Sequence, residues 1–401
     1  MLCDADEVPS DDEELAVVAT DDTIFFHRDP AVARTRLDAF DEALADAGVP
    51  RATEKDIDLA SNLTGLGCEL SSVPPSASPE RTKLHGILLA TLGLDECGVA
   101  SPKAVHSILG IDQWFCLLSR PHFSCFRETY AFVSREPGDV PVKVPLAVRS
   151  ELMLFCALAP LLSADLSREW LPLVTAADAA PEFGFGTSVC QLPTAEVAAI
   201  GSKAVRRGDY VRLKRAGGSD DEPERPRLGK PHRLGLAKQN FTDVLSLKAS
   251  KVEHAGIMEI KGVLLSLRWL LRSASRHGRR IVMLGDAKAA LSAVAKGRTN
   301  APAFHRTLCS IDALLLATNT LLRPIYVPSV DNPADAPSRG WRRRPTDRRV
   351  LKKPSFSKVR RRFHRLCEEE ALVEELLRIN WPTPRAELKA AVARRRAGVP
   401  A

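Results

Sequence analysis

The chain has 401 residues, 45% hydrophobic and 27% charged, with a net charge of +7; that length leaves room for two or three cores, and that composition excludes wholesale disorder, collagen-like and coiled-coil architectures. The longest apolar run, Leu152 to Leu162, has eleven residues, short of the roughly 20 that cross a hydrocarbon core, so no membrane partner is expected. The acidic opening MLCDADEVPSDDEEL lacks the basic start and apolar stretch of a targeting segment, which places the protein in the cytoplasm or nucleus.

From the N-terminus, ELAVVATDDTIFF at 14–26 holds two apolar β-prone runs joined at Thr20-Asp21-Asp22-Thr23: a strand, an acidic turn and a return strand. Residues 31–47 carry Val32, Leu37, Phe40 and Leu44 near helical spacing and stop at Gly48-Val49-Pro50. LTGLGCELSS at 63–72 reads as one short strand before the Pro/Ser punctuation of SSVPPSASPE. Apolar clusters at 84–94, 105–118 and 147–162, parted by Pro or Gly, make 80–168 a helical region. At 169 the texture changes, and EWLPLVTAADAAPEFGFGTSVC predicts a strand, an acidic bend and a Gly-spaced return strand. The basic, polar stretch from Ser202 to Gly235 reads as an exposed loop. Helices expected at 256–276, 287–296 and 303–321 then alternate with the strands IVMLG (281–285) and RPIYVPS (323–329). That alternation predicts an α/β fold, a mixed central sheet flanked by helices.

Nine cysteines, no two closer than nine residues, exclude CxxC zinc or redox spacing and read as small buried hydrophobes of a reducing compartment. Residues 341–367 hold twelve Lys and Arg against one Asp, a net +11 that leaves the rest of the chain at −4. Interspersed Trp341, Phe356 and Phe363 suit phosphate contact with stacking. The same composition fits a solvated tail or a nuclear-import signal.

Four acids stand where an element starts or stops, and each has an ordinary explanation. Asp178 follows LPLVTAA and fits a turn; Glu259 lies early in a helix and complements its dipole; Asp286 and Asp335 fit helix caps. Jointly they fit something else, because such positions in an α/β sheet can converge at one edge. Carboxylates brought together repel one another and call for a cation. Mg²⁺, or Mn²⁺ in its place, suits hard oxygen ligands, and two such ions would serve phosphodiester hydrolysis.

The ordered segments VTAADAAPEFGFG, GIMEIKGVLLSLRWL, IVMLGDAKAAL and YVPSVDNPADAPSRG resemble the ribonuclease H domain of retrotransposon polyproteins, with NPADAPSRG similar to that family's Ala-Asp-Ala-Leu-Ser-Arg ending. The resemblance covers 169–340 and implies that Asp178, Glu259, Asp286 and Asp335 are catalytic and metal-binding. It also sets Arg339, Trp341, Arg342, Arg343 and Arg344 beside the cleavage site as phosphate contacts. Two departures are the long stretch between Asp178 and Glu259 and the lack of a His near the strand end before Asp335.

Towards the N-terminus, VVATDDTIFF is similar to a reverse transcriptase palm hairpin, which would make Asp21 and Asp22 metal ligands and Lys55 the palm lysine that contacts nucleic acid. Ala19-Thr20 replaces the usual Tyr context, and only twenty residues precede Asp21, so the fingers and the third metal-binding Asp are not expected and polymerase activity is not expected of this chain alone. The resemblance thus divides the chain into a palm remnant (1–72), a helical thumb- or connection-like region (73–168), a ribonuclease H-like domain (169–340) and a basic tail (341–401). The expected partner is an RNA/DNA hybrid, with other products of the same polyprotein, and the expected reaction is hydrolysis of the RNA strand. The competing readings are an inactive nucleic-acid-binding remnant acting through the tail and a scaffold subunit for a complete polymerase.

Overall fold

Apolar runs broken by turn residues pair locally at the start of the chain. In the computed structural model, which describes residues 14–19, 22–27, 29–50, 52–57, 59–134, 138–203, 210–214 and 231–341, β1 (Glu14–Ala19) and β2 (Asp22–His27) form an antiparallel hairpin with Ala19 opposite Asp22. Asp29 caps α1 (Pro30–Asp46): its carboxylate accepts from the Ala31 N–H at 2.8 Å, and Pro30 opens the helix. The next segment corrects the expectation of a single strand. Asn62–Gly65 (β3), Cys68–Ser72 (β4) and Pro75–Pro79 (β5) form an antiparallel meander. The Pro/Ser stretch can be a strand because Pro75 and Pro79 stand at its two ends, where a missing N–H interrupts the ladder least.

The helical region follows in chain order: α2 (Arg81–Cys97), β6 (Val99–Ala100), α3 (Pro102–Cys116), a 3-10 turn at Arg120–Cys125, α4 (Arg127–Val133), β7 (Val142–Lys143) and α5 (Leu146–Leu158). Ser101 caps α3 by accepting from the Ala104 N–H. The apolar stripes of these helices meet in one cluster around Leu109, Phe115, Phe126, Leu152 and Phe155. β6 pairs with β7, and the short β8 (Ala164–Asp165) adds to β5.

From residue 170 the chain builds the larger sheet. β9 (Trp170–Ala180) and β10 (Gly184–Gln191) form a long antiparallel hairpin, followed by α6 (Thr194–Gly201), β11 (Tyr210–Lys214), β12 (Pro231–Ala237) and β13 (Thr242–Lys248). After α7 (Ala255–Leu270), β14 (Arg280–Gly285) joins β9 in parallel. α8 (Lys288–Lys296) and α9 (Pro302–Ala317) then lead to β15 (Leu321–Tyr326), parallel to β14, and to α10 (Asp335–Ser338). The five strands lie in the order β13-β10-β9-β14-β15, so the fold is α/β with a mixed sheet. Its central strands are buried on both faces, as a near-continuous apolar run requires. Ile281 and Met283 join Ile260, Leu267, Leu308 and Ile311 of α7 and α9 on one side. Val282 and Leu284 join Val174, Val197 and Ile325 on the other.

Two further corrections fall in this half. The expected loop at 202–235 is interrupted by β11 and the start of β12, a parallel pair that buries Val211, Leu213, Leu234 and Leu236 against the second face of the sheet, while residues 204–209 and 215–230 of that stretch lie outside the described residues. α7 ends at Leu270, and the expected continuation to 276 is instead a separate 3-10 turn, Ala274–Arg276. Ser273 and Ser275 bond to one another there at 2.9 Å, the local competition that makes serine a poor helix interior.

α9 has a second neighbour besides the sheet, the Arg120–Cys125 turn of the helical region. The Cys309 thiol lies 3.7 Å from the Ser124 carbonyl, and the Arg298 guanidinium stands 5.5 Å from the Phe123 ring centre. Gly297, at φ +66°, is backed so closely onto this turn that a Cβ would lie 2.0 Å from the Arg120 carbonyl oxygen. Among the described residues, no helix is long and apolar enough to cross a membrane.

Candidate metal centre

Small residues let three elements close on one another at the end of the sheet where β9 and β14 finish. Asp178 is not in a turn: β9 runs on through Ala180, and Asp178 is 5% exposed within it, directly opposite Gly186 of β10. Gly262 lets α7 lie against this part of β9, since a Cβ there would already be 3.2 Å from the Asp178 carbonyl oxygen. One helical turn before Gly262, Glu259 accepts from the Ala179 N–H. Asp286 follows the last residue of β14 and does not cap α8, whose N-cap position is Ala287.

One carboxylate oxygen from each of Asp178, Glu259 and Asp286 lies within 4.8 Å of the other two. Burial, reinforced by the neighbouring Asp286 charge, pushes the Asp178 carboxyl up to about 7; a hydrogen bond from Ser338 works against this. Burial, then the charges of Asp178 and Asp286, push Glu259 up to about 8. Asp286 keeps one buried oxygen with no hydrogen-bond partner among the described residues. Three buried or half-buried carboxylates this close together, with the proton affinity of Asp178 and Glu259 raised and one Asp286 oxygen unpartnered, form the electrostatic complement of a cation. An all-oxygen donor set suits a hard divalent ion such as Mg²⁺ or Mn²⁺.

The segment after β15 supplies the support. Asn332 and Ser338, both fully buried, each donate to Asp178: Asn332 Nδ2 to Oδ1 at 3.3 Å, and the Ser338 hydroxyl to Oδ2 in a short contact. Neither residue was singled out by sequence reasoning. The only signal available was that these two small polar residues flank Asp335 in the NPADAPS stretch. Gly186 makes room for this segment, because a Cβ there would meet the Ala334 carbonyl oxygen and the Ser338 nitrogen, each at 2.4 Å.

The structure therefore brings together three of the four predicted acids. Asp335 opens α10 outside that group and accepts from Arg339 Nε at 2.9 Å, although it is near enough to add to the rise of Asp178. Trp341 is 75% exposed just beyond α10. Asp22 opens β2 in the N-terminal hairpin, and Lys55 ends a 3-10 turn at Thr53–Lys55; the side chains of both lie outside the described residues, as do Asp21, Arg342, Arg343 and Arg344 altogether.

No family model and no curated protein matches the chain. Among solved structures it is similar to a foamy viral protease-reverse transcriptase in complex with double-stranded DNA, at a TM-score of 0.33 and 14% identity over 78% of this chain and 46% of that one. A second foamy viral protease-reverse transcriptase, in complex with an RNA/DNA hybrid, matches at a TM-score of 0.31 and 11% identity, over 78% of this chain and 56% of that one. The chain spans about half the length of these structures, and likeness at such scores transfers neither fold nor activity.

Proposed function

We propose that residues 169–340 are a ribonuclease H-like nuclease that hydrolyses the RNA strand of an RNA/DNA hybrid, preceded by a palm-like segment (1–72) and a thumb- or connection-like helical region (73–168) and followed by a basic tail (341–401). The observation that carries this reading is the meeting of Asp178, Glu259 and Asp286 within 4.8 Å at one end of a mixed sheet. The order of the sheet supports it: the hairpin β9-β10 and then β13 lie on one side, and the parallel β14 and β15 on the other, as in a ribonuclease H-like domain.

Divalent metal held by these three carboxylates would supply a Lewis acid and acidify the attacking water. The chain's own part is to hold the acids. Asn332 and Ser338 fix both oxygens of Asp178, the Ala179 N–H orients Glu259, and the orphan oxygen of Asp286 stays available. Recognition of the hybrid would rest on backbone shape and 2′-hydroxyls, not on base sequence. On this reading Arg339 and Trp341, with the arginines that follow them in sequence, would contact phosphates. No polymerase activity is proposed for this chain alone.

The test is cleavage of a labelled RNA/DNA hybrid in Mg²⁺ or Mn²⁺, beside Asp286→Asn. Metal-dependent cuts in the RNA strand, lost in the variant with the fold retained, are expected; cleavage by the variant at the wild-type rate would sink the assignment. One observation favours a second reading, an inactive nucleic-acid binder working through the tail: Asp335 stands outside the acid group and is tied to Arg339. That reading expects hybrid binding without Mg²⁺ that weakens steeply with salt and vanishes on truncation after Gly340.

A further inference from the structure

The other end of the same sheet carries the opposite charge. β9 and β14 run parallel, with Trp170 beside Arg280 at their starts, so at about 3.3 Å per residue this end lies about 20–26 Å along the strands from the acids. A cavity of about 440 Å³ opens here, lined by Glu169, Trp170, Thr194, Ser275, Arg276 and Arg279 among others. Arg272 shares Trp269 with Arg276, Arg280 lies 5.8 Å from the Trp170 ring centre, and Asp165 acts on both Arg168 and Arg280, so five arginines gather near this end of the sheet with Glu169 and Asp165.

These cations are poorly neutralised. Arg272 and Arg276 lie over the same indole, Trp269, at 5.2 and 5.0 Å from its ring centre, an arrangement in which two like charges share one aromatic ring. Arg279 pairs with Glu169, an acid 72% exposed to water, and Arg276 donates to the Leu270 carbonyl at 3.1 Å. The Nε atoms of Arg168 and Arg280 are buried with no partner among the described residues. Burial lowers the proton affinity of Arg168, Arg276 and Arg280, and Arg272 lowers that of Arg276 further. Guanidiniums gathered here beside the Ser275 and Thr194 hydroxyls have the chemistry of a phosphate fork, and the Trp170 ring, with Arg280 5.8 Å from its centre and its edge against Gly201, walls the cavity at its side.

We propose that this cavity is a second anionic-ligand site that takes the phosphate end of a nucleotide, with Arg276 and Arg279 on the phosphate and Trp170 beside the base. Glu169 then acts as a gate, exchanging its bond to Arg279 for the incoming anion. The ligand is either a free nucleotide or the 5′-phosphorylated end of a nucleic-acid strand, which share this chemistry. The site is independent of the nuclease reading, because none of its residues belongs to the acid centre.

The test is titration calorimetry on the full chain in EDTA, with ATP in one arm and a short 5′-phosphorylated oligonucleotide in the other. Arg276→Gln/Arg279→Gln removes the fork, and Ser275→Glu, at an exposed turn position, sets an acid at the mouth without touching the core. Saturable ATP binding weakened at least tenfold in both variants supports a free-nucleotide site; the same loss seen only with the oligonucleotide supports a strand end. No saturable binding in either arm, or binding equally tight in wild type and both variants, overturns the proposal. A thermal melt of each variant separates loss of the site from loss of the fold, and Ser275→Glu remains decisive if the double variant melts early.

Discussion

Asn332 donates through Nδ2 to the Ala177 carbonyl at 3.2 Å and to Asp178 Oδ1 at 3.3 Å, while its own Oδ1 accepts from the Ala334 N–H at 3.1 Å. A single buried amide thus ties the turn after β15 to the central strand and aims the carboxylate that strand carries. Asp178 is held from outside its own element, and its geometry depends on a residue 154 positions away.

Asn332→Asp tests this directly. The new carboxylate can still accept from Ala334, but it replaces a donor to Asp178 with a fourth negative charge. Mg²⁺ affinity is expected to fall about 10- to 100-fold, the usual cost of disturbing the groups that orient a metal's ligands. The readout is the Mg²⁺ concentration that half-saturates the thermal shift; a midpoint unchanged from wild type would remove Asn332 from the argument.

Gly186→Ala should damage the centre from the other side. Its Cβ would overlap the backbone at Ala334 and Ser338, which cannot give way as a flexible side chain can. The segment is expected to lift from the sheet, to break the Ser338 bond to Asp178 and to cost about 1–3 kcal/mol of stability, as overpacking in a core does. Urea denaturation and hybrid cleavage should both show a loss; full activity at wild-type stability would contradict the packing described.

Mg²⁺ itself should stabilise the fold. At a hundredfold excess over its dissociation constant, a ligand of the native state adds about 2.7 kcal/mol, and removal by EDTA should reverse this. In Asp286→Asn the metal-dependent part of the melting temperature is expected to shrink or vanish, while the melt in EDTA stays near that of wild type or rises, because one of three repelling charges is gone.

A pH dependence is expected from a residue far from the centre. Asp112, on α3, is 1% exposed, neither of its carboxylate oxygens has a partner among the described residues, and burial pushes it up to about 8. Because its folded value lies above the unfolded one near 4, the stabilising contribution is complete below pH 4, is lost as pH rises, and is gone by about pH 8. Asp112→Leu should flatten the fall in stability across pH 5 to 8 by up to about 1.4 kcal/mol per pH unit. Urea midpoints at pH 5, 6, 7 and 8 provide the check, and parallel slopes for the two proteins would refute it.

How much of this was legible in the sequence follows from which forces act locally. α7 announces itself by the 3.6-residue spacing of Ile260, Val263, Leu264 and Leu267, and β14 by the short run IVMLG. β5 and β11 do not, because proline, serine and basic residues mark turns when read alone, and only pairing with β4 and β12 reveals them as strands. β9 was cut short at Asp178 for the same reason: alanines 176, 177, 179 and 180 have little β-propensity of their own and owe their strand to burial between two layers. At the centre, the positions of Asp178, Glu259 and Asp286 followed from residue type and order. The supporting parts of Asn332 and Ser338 did not, since nothing local links either to a strand more than 150 residues earlier.

The seam between α9 and the Arg120–Cys125 turn has a practical meaning for anyone who would crop the protein. A fragment starting at residue 169 would lack Ser124, under which the half-buried Cys309 thiol now lies. That sulfur would then face solvent on an outward helical surface, where a protein thiol meets oxidants and other thiols. Such a fragment should accumulate covalent dimers through Cys309 on storage, a link that packing against Ser124 disfavours in the whole chain, where Cys97 is the exposed thiol among the described residues. Cys309→Ser in the fragment would prevent them.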